Sequence, residues 1–380
     1  MPSTVGTSTV SWAMMDPFQR GTLYVSGRHW VFYLDGTNFG WSSSVDGISW
    51  TAHYDYNTRP SGYSCIYWDA ANGKVCLAQS NGPLVANILY REGTLNSDGT
   101  ITWDFAEVIV TTDKCAEVAL TKNTSGYPVI SYCWNDGISR YHVRVITATA
   151  TNGSTWAVPP VSISVDLDVF VVHILALTSN KLMAIRVPYS AGVRIQSKIY
   201  VGGSWAADWV NAASGYVYYP AASCSVADGD NVALVFLEIT SGHINFNKYT
   251  YGVGWIATDE TVYQGVIGYS HPAIVIIGAN NYRVIFGHTS SSVAYIDRKI
   301  GVWDVDATDI ATGESALSGH VGVVAPISPL SGIISIGWLT GIANPRSVRY
   351  AYQYIENPYI KRVQGIPGMR SFSQMGHGGM

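Results

Sequence analysis

The residues best suited to ligand binding lie in one short stretch, residues 211–220 (NAASGYVYYP). Tyr216, Tyr218 and Tyr219 are grouped there in a segment that has no charged residue. Aromatic side chains combine a broad apolar face with a polar tip, and such faces bind sugar rings or flat protein surfaces. The three tyrosines are therefore predicted to form a ligand-binding loop, with packing between neighbouring sheets as the alternative.

Residues that could perform acid–base, nucleophilic or metal chemistry are not arranged in a recognised motif. The sequence contains no HExxH, P-loop or GxSxG pattern, and its cysteines and histidines lack metal-type spacing. We therefore expect no cofactor and no metal ion. The five cysteines are expected to be buried free thiols in a protein made in a reducing cytoplasm, with a Cys65–Cys76 bridge as the alternative.

The composition favours many short strands and argues against two kinds of partner. Charged residues make up 13% of the chain against 47% hydrophobic residues, and the formal net charge is −4. Without a Lys- or Arg-rich run there is no basic surface for nucleic acid. The N-terminus lacks the features of a signal peptide, and no apolar run reaches the roughly 20 residues of a membrane span. We expect cytoplasmic synthesis without a signal peptide, no membrane span and no nucleic-acid partner.

The sequence repeats at nearly regular intervals. A tryptophan recurs every 48 to 53 residues, at positions 50, 103, 156, 205, 255 and 303. A turn with Gly or Asn followed by an apolar strand occurs seven times, at residues 26–34, 72–78, 125–132, 179–185, 228–237, 279–287 and 331–338. Four antiparallel strands repeated at this period are typical of β-propeller blades. We predict an all-β propeller with seven four-stranded blades; six blades and one irregular unit is the alternative.

The last repeat is one strand short. Residues 347–355 are predicted as its third strand, and residues 356–380, rich in Gly, Ser and Met, show no alternation. An open ring would leave unpaired sheet edges, so residues 5–13, with Trp12 in place of the repeated tryptophan, are predicted to pair with the last blade and close the ring. The propeller would comprise residues 1–355, and residues 356–380 would form a C-terminal arm that is flexible or bound to a partner.

The turns that carry the repeated tryptophans share further residue types. They contribute Ser43, Asp46, Gly47, Trp50, Asp98, Gly99, Trp103, Gly153, Trp156, Gly202, Trp205, Gly252, Trp255 and Trp303. Gly permits positive φ, Ser and Asp bond the turn backbone, and Trp packs between sheets, so these are folding roles. The pattern resembles a worn Asp-box, Ser-x-Asp-x-Gly-x-Thr-Trp, of the sialidase family and related propellers. The resemblance implies the propeller fold and no activity, because such boxes lie away from the catalytic face.

The catalytic apparatus of sialidases implies a second set of residues. In that family three arginines bind the substrate carboxylate, and a tyrosine activated by a glutamate is the nucleophile. The residues that could take these roles here are Arg20, Arg59, Arg346, Glu238 and Tyr219, with Tyr216 or Tyr218 as alternatives to Tyr219. The N-terminal Arg-Ile-Pro signature of the family is absent. For the arginines and for Glu238 the alternative is that they are solvated loop charges.

Three hypotheses about function follow. The first is a non-enzymatic assembly or recognition module of a virus particle, such as a phage tail or attachment fibre, whose partners are other virion or assembly proteins, or copies of itself. Low charge, loops rich in Ser, Thr, Gly and Tyr, and the missing signal peptide favour it. The second is a sialidase-like glycoside hydrolase, whose carboxylates must lie at catalytic separation. The third is a lectin that binds glycans between blades.

Overall fold

The computed structural model describes residues 2–10, 13–14, 16–54, 63–80, 86–135, 141–164, 169–188, 194–215, 222–238, 241–265, 270–314, 321–322, 324–326, 332–341 and 343–355. Within these residues the regular structure is β-strand, apart from one turn of 3-10 helix, Pro17–Gln19. Short β-branched and aromatic segments between turn residues favour strands, which satisfy their backbone groups by pairing side by side. No helix in these ranges is long and apolar enough to cross a membrane.

Antiparallel sheets, the blades of the propeller, follow one another along the described chain after strand β1 (Ser3–Ser8). Blade I contains β2 (Thr22–Val25), β3 (Arg28–Leu34), β4 (Phe39–Ser44) and β5 (Thr51–Tyr54). Blade II contains β6 (Tyr63–Asp69), β7 (Lys74–Ser80), β8 (Ala86–Leu95), β9 (Ile101–Trp103) and the first part of β10 (Val108–Lys122). Blade III contains the rest of β10, β11 (Pro128–Asn135), β12 (Tyr141–Thr147) and β13 (Val161–Ser162).

The second half of the chain continues the same order. Blade IV contains β14 (Val169–Ala176), β15 (Leu182–Pro188), β16 (Gln196–Val201), β17 (Ser204–Trp205) and β18 (Val210–Asn211). Blade V contains β19 (Ser223–Asp228), β20 (Asn231–Leu237), β21 (Ile244–Thr250), β22 (Gly254–Trp255) and β23 (Glu260–Tyr263). After β24 (Ser270–His271), blade VI contains β25 (Ala273–Gly278), β26 (Asn281–Thr289), β27 (Ser292–Lys299), β28 (Val302–Trp303) and β29 (Thr308–Ala311). After β30 (Val321–Gly322), blade VII contains β31 (Ile333–Thr340), β32 (Arg346–Tyr354) and β1. The predicted all-β propeller with seven blades is confirmed.

Blades II and III share one long strand. The first part of β10 pairs with β8 and the second part pairs with β11, with a register shift between Cys115 and Val118. Residues 109–122 contain no Gly or Pro, so nothing in the sequence ends the strand between the two sheets. The short apolar segment 117–120, which the sequence predicts as the first strand of blade III because it precedes the turn at 125–132, is therefore the end of a much longer strand.

The last blade departs most from its prediction. The sequence predicts residues 320–324 as its first strand, but Val324 makes an isolated bridge to Gly337, and β30 pairs in parallel with β24 beside blade VI. The predicted third strand is present as β32. Strand β1 pairs with β32 and takes the fourth position of the blade, at residues 3–8 rather than 5–13. This pairing covers a sheet edge, while closure of the ring stays a prediction. Trp12 and residues 356–380 lie outside the described residues.

Five of the six repeated tryptophans, all except Trp205, pack between blades against the blade that precedes them. The indole N–H of Trp255 donates to Ser197 Oγ at 2.8 Å. Edge-to-face ring contacts, with centroids 4.9 to 6.3 Å apart, join Trp50 to Tyr350, Trp103 to Trp41, Trp156 to Tyr90 and Trp303 to Phe246. Such pairs contribute about 0.5–1.5 kcal/mol beyond the area that they bury. Packing between blades thus explains the regular spacing of this residue.

All five cysteines are buried and unbridged. Cys65 lies opposite Ala78 and Cys76 lies opposite Tyr67, so the alternative Cys65–Cys76 bridge does not form. Burial raises the pKa of the Cys65 and Cys115 thiols to about 12. These thiols are protonated at neutral pH and act as small apolar side chains.

Candidate functional site

A cleft of about 340 Å³ opens between blades III and IV. Three aromatic side chains line it: Tyr127 from blade III, and Tyr200 and Trp205 from blade IV. Its other lining residues are aliphatic or neutral polar, and none of the described side chains that line it carries a charge. The cleft therefore suits a ligand that is polar but uncharged and that has an apolar face.

Local strand pairing holds Tyr200 and Trp205 side by side. The two residues are opposite each other in the pairing of β16 with β17, and their ring centroids are 5.4 Å apart. Gly202 and Gly203, with φ of 62° and 90°, form the tight turn between these strands. Both rings are half-buried, so each is packed on its own blade and still exposes part of its surface.

Two other repeated tryptophans show how the space between blades is filled elsewhere. Trp255 of blade V donates a hydrogen bond to the hydroxyl of Ser197, and Trp303 of blade VI packs edge-to-face on the ring of Phe246. Each of these partners lies in the third strand of the preceding blade. Ser197 is three residues before Tyr200, which pairs with Trp205 in blade IV. Phe246 is likewise three residues before Tyr249, which pairs with Trp255 in blade V.

Blade III has a small apolar side chain at the corresponding position. Ala148 forms the bridge to Trp156 in this blade, and the residue three positions earlier is Val145. Val145 lines the cleft. Because valine has no hydrogen-bonding group and is smaller than phenylalanine, it leaves the space beside Trp205 open.

A set of hydrogen bonds across the two blades forms the polar side of the cleft. Asn180 Oδ1 accepts from Thr124 Oγ1 at 2.8 Å and from the backbone N–H of Ser125 at 3.0 Å. Asn180 Nδ2 donates to Ser125 Oγ at 2.8 Å. Asn123 Oδ1 accepts the backbone N–H of Tyr127 at 2.9 Å. These bonds fix the turns of both blades, so the cleft is already formed in the free protein. Binding therefore loses little conformational entropy in the protein.

The polar ends of the three aromatic side chains are available to a ligand. Among the contacts of the described residues, the hydroxyls of Tyr127 and Tyr200 and the indole N–H of Trp205 have no protein partner. The indole N–H of Trp156, in contrast, donates to Gly153 O at 2.8 Å. The cleft thus offers both ring surface and hydrogen-bonding groups.

A second concave region lies in the central channel, where the first strands of blades II to V face one another around a cavity of about 200 Å³. The 3-10 helix inserts here, with Phe18 stacked on His173 and Gln19 Nε2 donating to Glu117 Oε2 at 3.1 Å. Burial, together with nearby Asp16, raises the pKa of Glu117 well above its usual range. Burial lowers the pKa of His173 to about 3. Burial therefore favours the neutral form of both side chains.

The predicted catalytic residues have separate environments. Arg20 is buried in the channel and donates to three backbone carbonyls. Arg346 Nη1 donates to Asn344 Oδ1 at 2.6 Å, and Glu238 Oε2 accepts from Asn245 Nδ2 at 3.0 Å. The remaining predicted residues lie outside the described residues: Arg59, Tyr216, Tyr218 and Tyr219. The arginine triad and the tyrosine loop stay predictions.

The first of the predicted turns is held by its aspartate. Asp46 Oδ1 accepts the backbone N–H groups of Ser49 and Ile48, both at 2.8 Å, and these bonds hold the pKa of Asp46 below its usual range. Ser44 Oγ donates to the same oxygen at 2.8 Å. Ser43 Oγ accepts from Arg28 Nη1 at 3.3 Å, and Ser44 takes the turn-bonding role that the sequence pattern gives to Ser43.

The second turn uses the same device. Asp98 Oδ1 accepts the backbone N–H of Thr100 at 2.9 Å. The glycines predicted in these turns have positive φ: Gly47, Gly99, Gly153, Gly202 and Gly252. Their turns thus adopt the backbone conformation for which glycine is best suited.

The sequence pattern predicts only a folding role for Trp205, and it does not single out Tyr127 or Tyr200. A signal was present in the repeats, because Val145 aligns with Ser197 and Phe246 and is the smallest apolar side chain at that position. Its meaning depends on knowing that this position faces the tryptophan of the next blade.

Comparisons with known proteins identify the fold and no family. No protein-family model matches the sequence, and no curated protein matches it. Among solved structures, a lectin from Burkholderia pseudomallei aligns with a TM-score of 0.63 at 13% identity, over 88% of this chain and 94% of that chain. An ulvan lyase, from a new family of polysaccharide lyases, aligns with a TM-score of 0.61 at 9% identity, over 92% and 94%. Polysaccharide lyase Uly1 aligns with a TM-score of 0.55 at 10% identity, over 89% and 90%. The chain is thus similar in fold to proteins that bind or cleave glycans.

Proposed function

We propose that this propeller binds a neutral glycan in the cleft between blades III and IV. The observation that carries the proposal is the pair Tyr200 and Trp205, held side by side in a preformed cleft without charge. Sugar rings have an apolar face that packs on aromatic rings and hydroxyl groups that bond amides and phenols. A lectin and polysaccharide lyases among the structures of similar fold support a carbohydrate ligand.

The size and charge of the cleft narrow the ligand class. A volume of about 340 Å³ is at the small end of the range of about 300–1,000 Å³ for small-molecule sites, so we expect one or two sugar units. A sulfate or uronate group would lose hydration without meeting a cation, which is unfavourable. The ligand is therefore expected to be an uncharged mono- or disaccharide unit.

The cleft supports binding rather than turnover. Hydrolysis of a glycosidic bond uses a pair of carboxyl groups on either side of that bond. Among the residues that the structure describes, no Asp or Glu lines this cleft. A lectin-like role follows.

The test compares two substitutions at the same position of the repeat. Trp205→Ala removes the ring that lines the cleft, and Trp255→Ala removes a ring that packs between blades IV and V. Wild-type protein is first screened on an array of neutral glycans, and the best ligand is then titrated by calorimetry.

We expect Trp205→Ala to weaken binding about 30-fold, since truncating a central aromatic residue costs about 2 kcal/mol. Trp255→Ala should lower stability and leave affinity unchanged. Equal losses of affinity in two folded variants would show that the cleft is not the site, and no binding to any neutral glycan would refute the function itself.

The two other functions from the sequence remain proposals. A sialidase-like hydrolase would need Arg20 at a substrate carboxylate, and the three backbone carbonyls that accept from its guanidinium make this the weaker proposal. An assembly role, in a virion or elsewhere, is supported by one turn of blade VI: Ile300, Val302 and Val305 are 94%, 69% and 93% exposed. Sedimentation of the full chain and of a triple Ser variant at this turn tests self-assembly, which a concentration-independent monomer would exclude.

A further inference from the structure

Arg20 is a buried cation that joins three blades. It follows the 3-10 helix, with φ of 59°, and is 5% exposed. Its Nη1 donates to Ile274 O at 3.0 Å and Ala325 O at 3.3 Å, and its Nη2 donates to Ser225 O at 2.7 Å. Three of the five N–H donors of the guanidinium are thereby used on backbone oxygens, which carry no net charge.

No carboxylate of the described residues accepts from Arg20. Glu117 is buried in the same channel, where burial raises its pKa, and its carboxyl oxygen accepts from Gln19 rather than from Arg20. Asp16, at the other end of the 3-10 helix, faces His271 at 3.7 Å. A buried charge without a counter-charge is costly, and the cost is relieved when an opposite charge is supplied.

The cavity of about 200 Å³ in the channel lies directly against Arg20. It has room for several waters, or for a small ion with part of its hydration shell. Polar side chains of Thr121, Ser225 and His173 line it together with Tyr67. The cavity thus combines a buried positive charge, to which no carboxylate of the described residues is bonded, with hydroxyl groups that can donate to an anion.

The cavity lies on the turn side of the propeller. Most of its lining residues on the first strands come from the second halves of those strands, at 67, 119–121, 173–176 and 227, whereas Ile66 and Ser225 lie near the strand middles. These halves lead into the turns between first and second strands. The cavity is therefore on the side opposite the loops between second and third strands, and none of the described residues that line it also lines the glycan cleft.

We propose that this channel cavity binds a small inorganic anion, of the size of chloride or phosphate, against the guanidinium of Arg20. The anion neutralises the cation that joins blades V, VI and VII and so stabilises the centre of the propeller. The positive charge of Arg20 also affects its neighbour His173. Burial is the larger cause of the low pKa of His173, and repulsion by the Arg20 charge is the second.

The first experiment locates the anion in the unmodified protein. Crystals of the full chain are soaked in sodium bromide, and anomalous scattering at the bromine edge is recorded. A peak in contact with the Arg20 guanidinium is expected. A map without bromide at Arg20, from crystals that show bromide elsewhere, overturns the proposal.

The second experiment measures anion-dependent stability at constant ionic strength. A bulky sulfonate is replaced stepwise by chloride or by inorganic phosphate, and the Tm is followed by tryptophan fluorescence. The Tm should rise and saturate, and the salt that acts at the lower concentration identifies the anion. Arg20→Met should lose this dependence, while Arg28→Met, which removes a more exposed arginine, should keep it. Equal Tm values in all three salts overturn the proposal, and this measurement on wild type decides even if Arg20→Met does not fold.

Discussion

Replacing Lys122 with Met should destabilise the junction between blades II and III strongly. Lys122 Nζ, in the blade III part of β10, lies 2.8 Å from Asp69 Oδ2 and 2.6 Å from Glu92 Oε2, both in blade II. The three side chains are only 5–7% exposed. Removal of the ammonium group leaves two buried carboxylates without a cation.

The magnitude follows from these distances. At an effective dielectric constant of about 20, each contact contributes about 6 kcal/mol of Coulomb attraction. Most of this attraction offsets the cost of taking the charges out of water, and removing one partner of a buried pair typically costs about 3–5 kcal/mol. We expect a loss of that size in the free energy of unfolding, measured by urea titration at pH 7. Lys74→Met is the matched control, because its pair with Asp104 is 25–30% exposed and should contribute about 0–1 kcal/mol.

The pH dependence gives a second check on the same variant. In the wild type, burial raises the pKa of Asp69, but the hydrogen bonds from Asn72 and Lys122 outweigh it and the net pKa is lowered. Its contribution is therefore present above the unfolded pKa and is lost as the pH falls through the folded pKa. In Lys122→Met, burial still disfavours the charged form of Asp69 but the cation is gone. Protonation of the carboxylates therefore removes part of the destabilisation in the variant. The difference between the two proteins should shrink from pH 7 to pH 4, and Asp69→Asn with Glu92→Gln should rescue Lys122→Met. A penalty no larger than that of Lys74→Met, or one that grows on acidification, would refute the reasoning.

Three further outcomes are expected. Val145→Phe should fill the space beside Trp205 as Phe246 does beside Trp303, and calorimetry should show at least a tenfold loss of glycan affinity with an unchanged Tm; retained affinity would contradict the cleft assignment. Ile300→Asn should raise the free energy of unfolding by about 1 kcal/mol, because a β-branched residue at φ of 51° is strained and, at 94% exposed, buries nothing; a lower value in urea titration would contradict this. The five buried thiols should not react with a disulfide reagent at pH 8 until denaturant is added, and rapid reaction of the native protein would be inconsistent with their burial.

The number and type of elements were predictable because they depend on local patterns. Alternating apolar segments, turns with Gly or Asn, and the turn that carries each tryptophan are local patterns, each contained within about ten residues. Their nearly constant spacing indicates the repeat. They led to seven blades and to the third strand of the last blade, observed as β32. Local patterns failed where tertiary pairing decided the outcome, as in the continuation of β10 through two blades and in the pairing of β30 with β24.

The candidate site was less predictable because it belongs to pairs of blades. Val145 and Trp205 are sixty positions apart, and only the packing of blade IV on blade III places them around one cleft. The environment of Arg20 was equally unpredictable. The sequence shows only a loop arginine, and in the fold it lies in a channel where three blades contribute its hydrogen-bond acceptors.

The sequence by itself thus determined the propeller, since strand, turn and repeat follow from short-range preferences of the backbone and of side chains. The tertiary structure alone decided which spaces between blades are filled and which stay open. That outcome depends on the relative sizes and hydrogen-bonding groups of residues far apart in the chain, and small differences such as Val145 against Phe246 become visible only when the blades are packed together.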